Sequence, residues 1–494
     1  MAEPSAGWHL FKNLFLLALS LVLLPIDSFV IGLVWARNRL VPPRVRHEAS
    51  TRCRKTVLVT GVNMSKGLCL ARLFHRRGHR VIAADSHSLA PGRVSAAVDR
   101  FYVLPSPGPP PDVDGAERDP YVLGLLRIVK LEGVHLWISV SDVSAAAHDA
   151  LARDVIEHRT EAKAAQLSLK DVQTLHEKDS FMRHVESLGL PIPGTQVVAG
   201  RDAIVDFLTA RGGLRLQPGA SQYLLKPVGV NDLARFNMPL LPLASEDETV
   251  RRINAIPFGR DPCFIMQEFI RGREFCTHAL IVRGRVRAFV ACPSSELLMH
   301  YTALPADSPL SRQMLAFTEV MAKAGGTDWT GHVSFDFLVK GGKADEHCQL
   351  YPIECNPRVH TAVVLFNDTL QVVDEYLDML ATPESAPFRQ ERPLLVPSRP
   401  QRYYWLGQDL VERVLYPVYQ MLVLWTLSPA QLAASLGSFG QHFVGWKDGT
   451  FEAWDPWPWW WLYHVYWPMQ FLGFVVRGRW HKVNVSTGKV FEAS

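Results

Sequence analysis

The sequence predicts an α/β protein flanked by an apolar leader and an aromatic tail. Three observations carry that expectation. From Thr56 onward, short apolar runs of β type alternate with helical segments, the pattern of a parallel sheet with crossover helices. Farther along, Phe335-Asp336-Phe337 and Ile353-Glu354-Cys355-Asn356 carry polar groups at alternate positions of strand-like segments. Both ends depart from this pattern: residues 11–35 are almost wholly apolar, and residues 454–467 hold six tryptophans in fourteen positions.

In the leader, fourteen Leu, Ile, Phe and Val residues lie between Leu14 and Leu33. They contribute roughly −4 to −8 kcal/mol on the insertion scale, whereas off-centre Asp27 costs at most about 3 kcal/mol, so insertion is expected to win. Pro25 and Asp27 interrupt the run near its middle. A kinked span and a shallow re-entrant hairpin both satisfy that interruption, and a buried core helix is the competing reading. A cleaved signal fits poorly, because the charged region is weak and no Ala-x-Ala-like site ends the run. Seven Arg or Lys residues between Arg37 and Lys55, against Glu48 alone, place the following chain on the cytoplasmic side.

After this basic linker, Thr56–Gly61 reads as a buried strand entering a glycine turn, Leu68–Arg77 as a helix, Val81–Asp85 as a second strand and His135–Val140 as a later one. The turn Gly61–Gly67 has neither the spacing of G-x-G-x-x-G nor that of a P-loop, since Lys66 precedes Gly67. A dinucleotide site, a helix amino terminus that helps hold an anionic substrate, and simple turn geometry all stay open there.

The central region carries the chemistry. Glu354 and Asn356 are two apart on a strand and share a face. The segment His332–Val339 pairs with that strand across the turn at 340–343 and presents Asp336 to the same face. Two carboxylates and an amide oxygen then converge, a hard-oxygen set suited to Mg²⁺ on a nucleotide. A surface hairpin with scattered polar residues is the plain alternative. Upstream lie Glu177-Lys178-Asp179 before a helix, Gln222–Pro227 as a short strand containing Lys226, and Phe264–Glu274 as an apolar strand leading to Gly272 and Glu274.

In this order and spacing, Glu177-Lys178-Asp179, Leu225-Lys226-Pro227, Gln267-Glu268-Phe269-Ile270 and Ile353–Arg358 resemble the ATP-grasp superfamily. The resemblance implies an ATP-grasp fold preceded by a Rossmann-like pre-ATP-grasp domain. It implies that Lys178 and Lys226 contact phosphates, and that Gln267, Glu268 and Ile270 lie at the nucleotide, the last two holding adenine through backbone groups. Glu274 would take the ribose hydroxyls. Asp336, Glu354 and Asn356 would carry Mg²⁺ (or Mn²⁺), and Arg358 would meet the transferred phosphoryl group or the substrate oxyanion. One departure stands out: relatives carry a glycine-rich flap after the second lysine, whereas residues 228–238 contain a single glycine, and Arg235 is a candidate replacement for flap donors.

The apolar leader, the strand ending Val59-Thr60-Gly61, Cys276-Thr-His278, Ser294-Ser295, Asn356–His360 and the aromatic tail together resemble the ATP-grasp ligases of mycosporine-like amino acid biosynthesis, the mycosporine-glycine synthases. That resemblance implies ATP-dependent joining of glycine to the cyclohexenone 4-deoxygadusol through a phosphorylated enol. His278, Ser294, Ser295, Arg358 and His360 would line the substrate pocket; Arg358, Lys226, His278 and His360 are the catalytic candidates, with a structural role equally open for each histidine. The expected partition is 1–40 membrane-associated, 41–55 linker, 56–165 pre-ATP-grasp domain, 166–390 ATP-grasp domain and 391–494 aromatic-rich region.

In that last region, tryptophan and tyrosine favour a membrane interface, with an aromatic core as the alternative. At 494 residues and 48% hydrophobic content the chain can bury several cores. A net charge of +4 gives no case for nucleic acid. Seven scattered cysteines suggest neither a disulfide framework nor a zinc site. Small-molecule substrates and a membrane are the expected partners, and homo-oligomerisation stays open. The rival functions are a carboxylate–amine ligase and a membrane-tethered nucleotide-binding scaffold.

Overall fold

A computed structural model describes residues 6–41, 53–109, 115–140, 145–227, 239–256, 264–294, 299–341, 348–381, 392–478, 480–484 and 489–493. The segment 228–238, with Arg235, and Ser295 lie outside the described residues.

Helix α1 (Ala6–Leu40) runs unbroken through Pro25. The re-entrant hairpin is therefore not formed. One missing donor is outweighed by the remaining turns and by packing of α1 against the helix Trp467–Arg477. At 1.5 Å per residue α1 extends about 52 Å, more than the roughly 30 Å hydrocarbon thickness of a bilayer. Its most apolar window has a mean hydropathy of 2.5 and is only 6% buried, so the core-helix reading does not hold.

The first folded region is a five-stranded parallel sheet of order β3-β2-β1-β4-β5, built from β1 (Thr56–Thr60), β2 (Arg80–Asp85), β3 (Arg100–Val103), β4 (Leu136–Ile138) and β5 (Lys163–Ala165). Helices α2 (Ser65–Arg76), α3 (Pro120–Glu132) and α4 (Ala146–Arg159) cover it. Val57, Leu58 and Val59 of β1 and all of β4 are fully buried, as a sheet covered on both faces requires. The turn glycines are demanded by contact. A Cβ at Gly61, where φ is +65°, would stand 1.7 Å from the Val140 carbonyl oxygen, and one at Gly67 would stand 2.3 Å from that of Gly61.

Two helices come next, α5 (Leu169–His176) and α6 (Lys178–Ser187), the second opening at the expected Glu177-Lys178-Asp179. An antiparallel sheet of order β6-β9-β7-β8 follows, from β6 (Thr195–Val198), β7 (Tyr223–Pro227), β8 (Leu240–Leu241) and β9 (Phe264–Glu268). A second antiparallel sheet has the order β11-β10-β12-β13, from β10 (Arg273–Val282), β11 (Arg285–Pro293), β12 (Gly331–Lys340) and β13 (Gln349–Asn356).

That second sheet separates two cores by the period of its strands. Phe335, Phe337 and Cys355 face Phe181 of α6 and Phe317 of the helix Pro309–Gly325. Phe317 meets both strand phenylalanines edge-on with ring centroids at 5.1 Å. Each such buried ring contributes about 1.5–3 kcal/mol. The alternate residues, Asp336, Glu354 and Asn356, are thereby directed to the opposite face.

Part of the aromatic tail forms a core. Leu462, Tyr466, Trp467, Phe471 and Phe474 form a buried cluster against Leu16 and Leu17 of α1. Trp425, Phe443, Val444, Trp457 and Val476 are exposed. Large exposed apolar side chains crowd α1 and this tail.

Candidate active site

The register of β12 on β13 sets the centre of the site. Asp336 stands opposite Glu354 and Ser334 opposite Asn356. Asn356 Nδ2 donates to Asp336 Oδ2 at 3.2 Å and to Glu354 Oε1 at 3.3 Å. On the next strand Cys276 is opposite Asp336, and Glu274 lies two residues before it on the same face. Burial and the neighbouring Glu354 carboxylate push the Asp336 carboxyl well above the usual carboxylate range. Such crowding of acids is what a bound cation relieves. The donor set, two carboxylates and one amide, fits Mg²⁺.

Around this trio the structure gathers further expected residues. Donor atoms of Cys276, Asp336 and His360 lie within 4.8 Å of one another. Glu274 Oε1 accepts from the Ser294 hydroxyl at 2.8 Å, and the Glu274 carbonyl accepts from the Ser294 amide at 3.0 Å. The Arg358 amide donates to the Asn356 carbonyl at 2.8 Å, a tight turn at the strand exit. His278 is 1% exposed, and its Nδ1 accepts from the His360 amide at 3.4 Å. His360 in turn caps Thr361–Phe366, its Nδ1 accepting from the Ala362 amide at 3.2 Å. Burial, then the Lys66 charge, lowers the His278 ring to about 3. Burial and the charges of His278 and Lys66 lower His360 to about 3 as well. Both rings are neutral acceptors at physiological pH.

The β6–β9 sheet presents Lys226 and the segment Gln267-Glu268-Phe269-Ile270. Lys226 Nζ donates to Gln267 Oε1 at 2.6 Å, and Gln267 Nε2 donates to Thr195 Oγ1 at 3.4 Å. Gln267 is 3% exposed, so its side chain positions Lys226 from behind. Glu268 accepts from the Ser221 hydroxyl at 3.0 Å, and its amide donates to the Gly194 carbonyl at 2.7 Å. Phe269 N–H donates to Gln222 O at 2.7 Å and Arg271 donates to Gln222 Oε1 at 2.8 Å, which fixes the chain leaving β9. Ile270 buries its side chain at 2% exposure. Burial, and next the Glu268 carboxylate, raise the Tyr351 phenol above its usual value. Lys178 opens α6, whose apolar residues pack on the face of the sheet opposite the trio.

Two participants were not singled out in the sequence. Lys66, on the first turn of α2 and 4% exposed, donates from Nζ to the Val359 carbonyl at 2.8 Å. The Tyr301 ring packs edge-on to His360 at 5.9 Å. Only the unusual Lys66-Gly67 pair hinted at the first, and nothing local marked the second.

At the carboxyl ends of β1, β2 and β4 a cavity of about 220 Å³ is lined by Gly61, Asn63, Asp85, His87 and Tyr121 among others. Asp85 accepts from the amides of Asn63 and His87, each at 2.8 Å. Its carboxylate therefore organises the turn. The close contacts of Gly61 and Gly67 fix the conformation of this loop.

No family model matches the chain, and no curated protein matches it. Solved structures do resemble it. N5-carboxyaminoimidazole synthetase from Staphylococcus aureus is 13% identical, with 76% of this chain and 88% of that one covered at a TM-score of 0.48. The N5-carboxyaminoimidazole synthase of Aspergillus clavatus, solved with ADP and aminoimidazole ribonucleotide, is 13% identical over 71% and 81% at 0.47. An L-amino acid ligase from Bacillus licheniformis is 15% identical over 64% and 69% at 0.41.

Proposed function

We propose that this chain is a magnesium- and ATP-dependent ligase of ATP-grasp type that forms a carbon–nitrogen bond. The observation that carries the reading is the convergence of Asp336, Glu354 and Asn356 on one sheet face, joined by the Asn356 amide. Those three residues would hold Mg²⁺, whose contribution would be to neutralise charge during phosphoryl transfer. Lys226, positioned by Gln267, and Lys178 would meet the phosphates. Backbone groups of Glu268 and Ile270 would take adenine, and Glu274 would take the ribose hydroxyls. Transfer of this kind needs positioning and cations rather than a protein nucleophile. No nucleophile–base–acid relay is required of the neutral His278 and His360; they hold the strand exit that carries Arg358, which would stabilise the substrate oxyanion.

The acceptor proposed is an enolic vinylogous acid, the cyclohexenone 4-deoxygadusol, joined to glycine. Its enolic oxygen would take the γ-phosphoryl group, and the amine would then add to the activated carbon and expel phosphate. This finer reading rests on the residue pattern Cys276-Thr-His278, Ser294 and Asn356–His360. The large exposed apolar side chains on α1 and the tail support a membrane-associated chain, with the catalytic region on the cytoplasmic side by its basic linker.

The test is phosphate release by the detergent-purified chain with ATP and Mg²⁺, offered 4-deoxygadusol and glycine together, each alone, and a panel of carboxylic acids. Release that needs the cyclohexenone supports the acceptor. Release triggered by carboxylic acids instead makes the protein a carboxylate–amine ligase. ATP binding without release under any condition leaves a nucleotide-binding scaffold.

A further inference from the structure

Three side chains from distant parts of the chain meet outside the proposed active site. His300 lies after β11, Asp409 in the helix Leu406–Leu410, and His442 in the helix Pro429–Gly445. His300 Nε2 is 2.9 Å from one Asp409 oxygen, and His442 Nδ1 is 2.9 Å from the other. The two imidazole rings stand 4.3 Å apart, and one donor atom from each of the three residues lies within 4.8 Å of the others. Asp409 is 2% exposed while the histidine side chains retain 12% and 13%, so the cluster is closed behind and reachable in front.

We propose that His300, Asp409 and His442 form a three-ligand site for a divalent transition-metal ion of the zinc class, with the fourth position open to water. Two imidazole nitrogens and one carboxylate oxygen are the donors such an ion prefers, and three protein ligands with an open position is a familiar zinc arrangement. A tetrahedral ion with ligand bonds of about 2.0–2.2 Å holds its ligand atoms about 3.4 Å apart. The 2.9 Å contacts would widen by about 0.5 Å, and the separations up to 4.8 Å would close around the ion. Each ring offers its lone pair by carrying its proton on the other nitrogen, so neutral histidines bind without releasing a proton and each imidazolium releases one. Trp446 packs against both rings, at 5.4 and 4.7 Å, and fixes their orientation. Arg413 Nε stands 3.6 Å from Asp409 Oδ1. The site fastens the tail helices to the segment bearing Tyr301, whose ring rests on His360. It differs from the oxygen-lined trio in the ion it selects.

The experiment is zinc content of the full detergent-purified chain, followed by chelator treatment and Co²⁺ titration read by visible ligand-field absorption. The proposal predicts one zinc per chain. It further predicts a Co²⁺ band that saturates at one equivalent, is displaced by Zn²⁺, persists in Glu354→Ala and is lost in both His300→Ala and His442→Ala. Near-UV circular dichroism reports whether each variant folds, and His442→Gln replaces any that does not. A folded wild-type chain without zinc or band is a hydrogen-bonded clamp only, which overturns the proposal. An equal band in both histidine variants overturns it too.

Discussion

Lys66 Nζ donates to the Val359 carbonyl at 2.8 Å, across 293 residues of chain. The contact joins the first sheet's helix to the exit of β13, between Asn356 and His360. Removing it leaves a buried carbonyl without that donor, which costs about 1–3 kcal/mol. Lys66→Met is expected to lower the denaturation free energy by that amount. It is also expected to raise the ring pKa of His278, because the Lys66 charge is one of the two causes that lower it. Urea unfolding and histidine titration by NMR check both.

Asp27 provides a second prediction. His464 Nε2 stands 2.9 Å from its Oδ2, and Ser20 Oγ lies 3.2 Å from the other ring nitrogen. A charge that counted against insertion of α1 is thus partnered within the protein. His464→Leu alone strands the carboxylate, whereas Asp27→Leu with His464→Leu removes both polar groups. Thermal unfolding in detergent should give a coupling of about 0.5–3 kcal/mol between the two substitutions. Additive effects would show that the pair is not energetically joined.

Arg72 and Asp455 clamp the tail to α2. Arg72 Nε lies 2.8 Å from Asp455 Oδ2, with side-chain exposures of 4% and 0%. The same carboxylate accepts from the Ser95 hydroxyl at 2.6 Å and the Ala96 amide at 2.8 Å. Breaking a buried pair by removing one partner costs about 3–5 kcal/mol. Asp455→Ala should show a loss in that range by denaturant titration.

Buried neutral histidines make stability pH-dependent. The folded pKa of His278 and of His360 is about 3, below the ordinary 6.5. A group whose folded pKa is depressed contributes stability that is present above the unfolded value and lost as pH falls. Between about pH 6.5 and 3 each ring should cost about 1.4 kcal/mol per pH unit. Denaturant midpoints should be flat above pH 7 in this respect and fall below it, less steeply in His278→Gln.

Much of the site was legible because β-strand alternation is local. Asp336, Glu354 and Asn356 share a face by strand period and pairing alone, and the antiparallel pairing of β12 with β13 follows from their proximity in the chain. Lys226 on a short strand was legible for the same reason. Lys66 was not, since only the docking of two sheets brings it to Val359. Nor was the role of the tail, because six tryptophans give apolar content without saying which rings meet α1. The continuity of α1 through Pro25 depends on packing against helices more than 400 residues downstream, beyond reach of any local rule.

The measurement that bears most directly on the ligase reading is Mg²⁺-dependent formation of ADP and phosphate from ATP, with acceptor and amine supplied, by the wild-type chain and by Glu354→Gln. The substitution keeps size and removes one charge opposite Asp336. The account predicts turnover in the wild type that vanishes without Mg²⁺ and falls at least about a hundredfold in the variant, with the fold retained. Equal turnover in the two proteins would contradict the assignment of the trio as the metal–nucleotide centre.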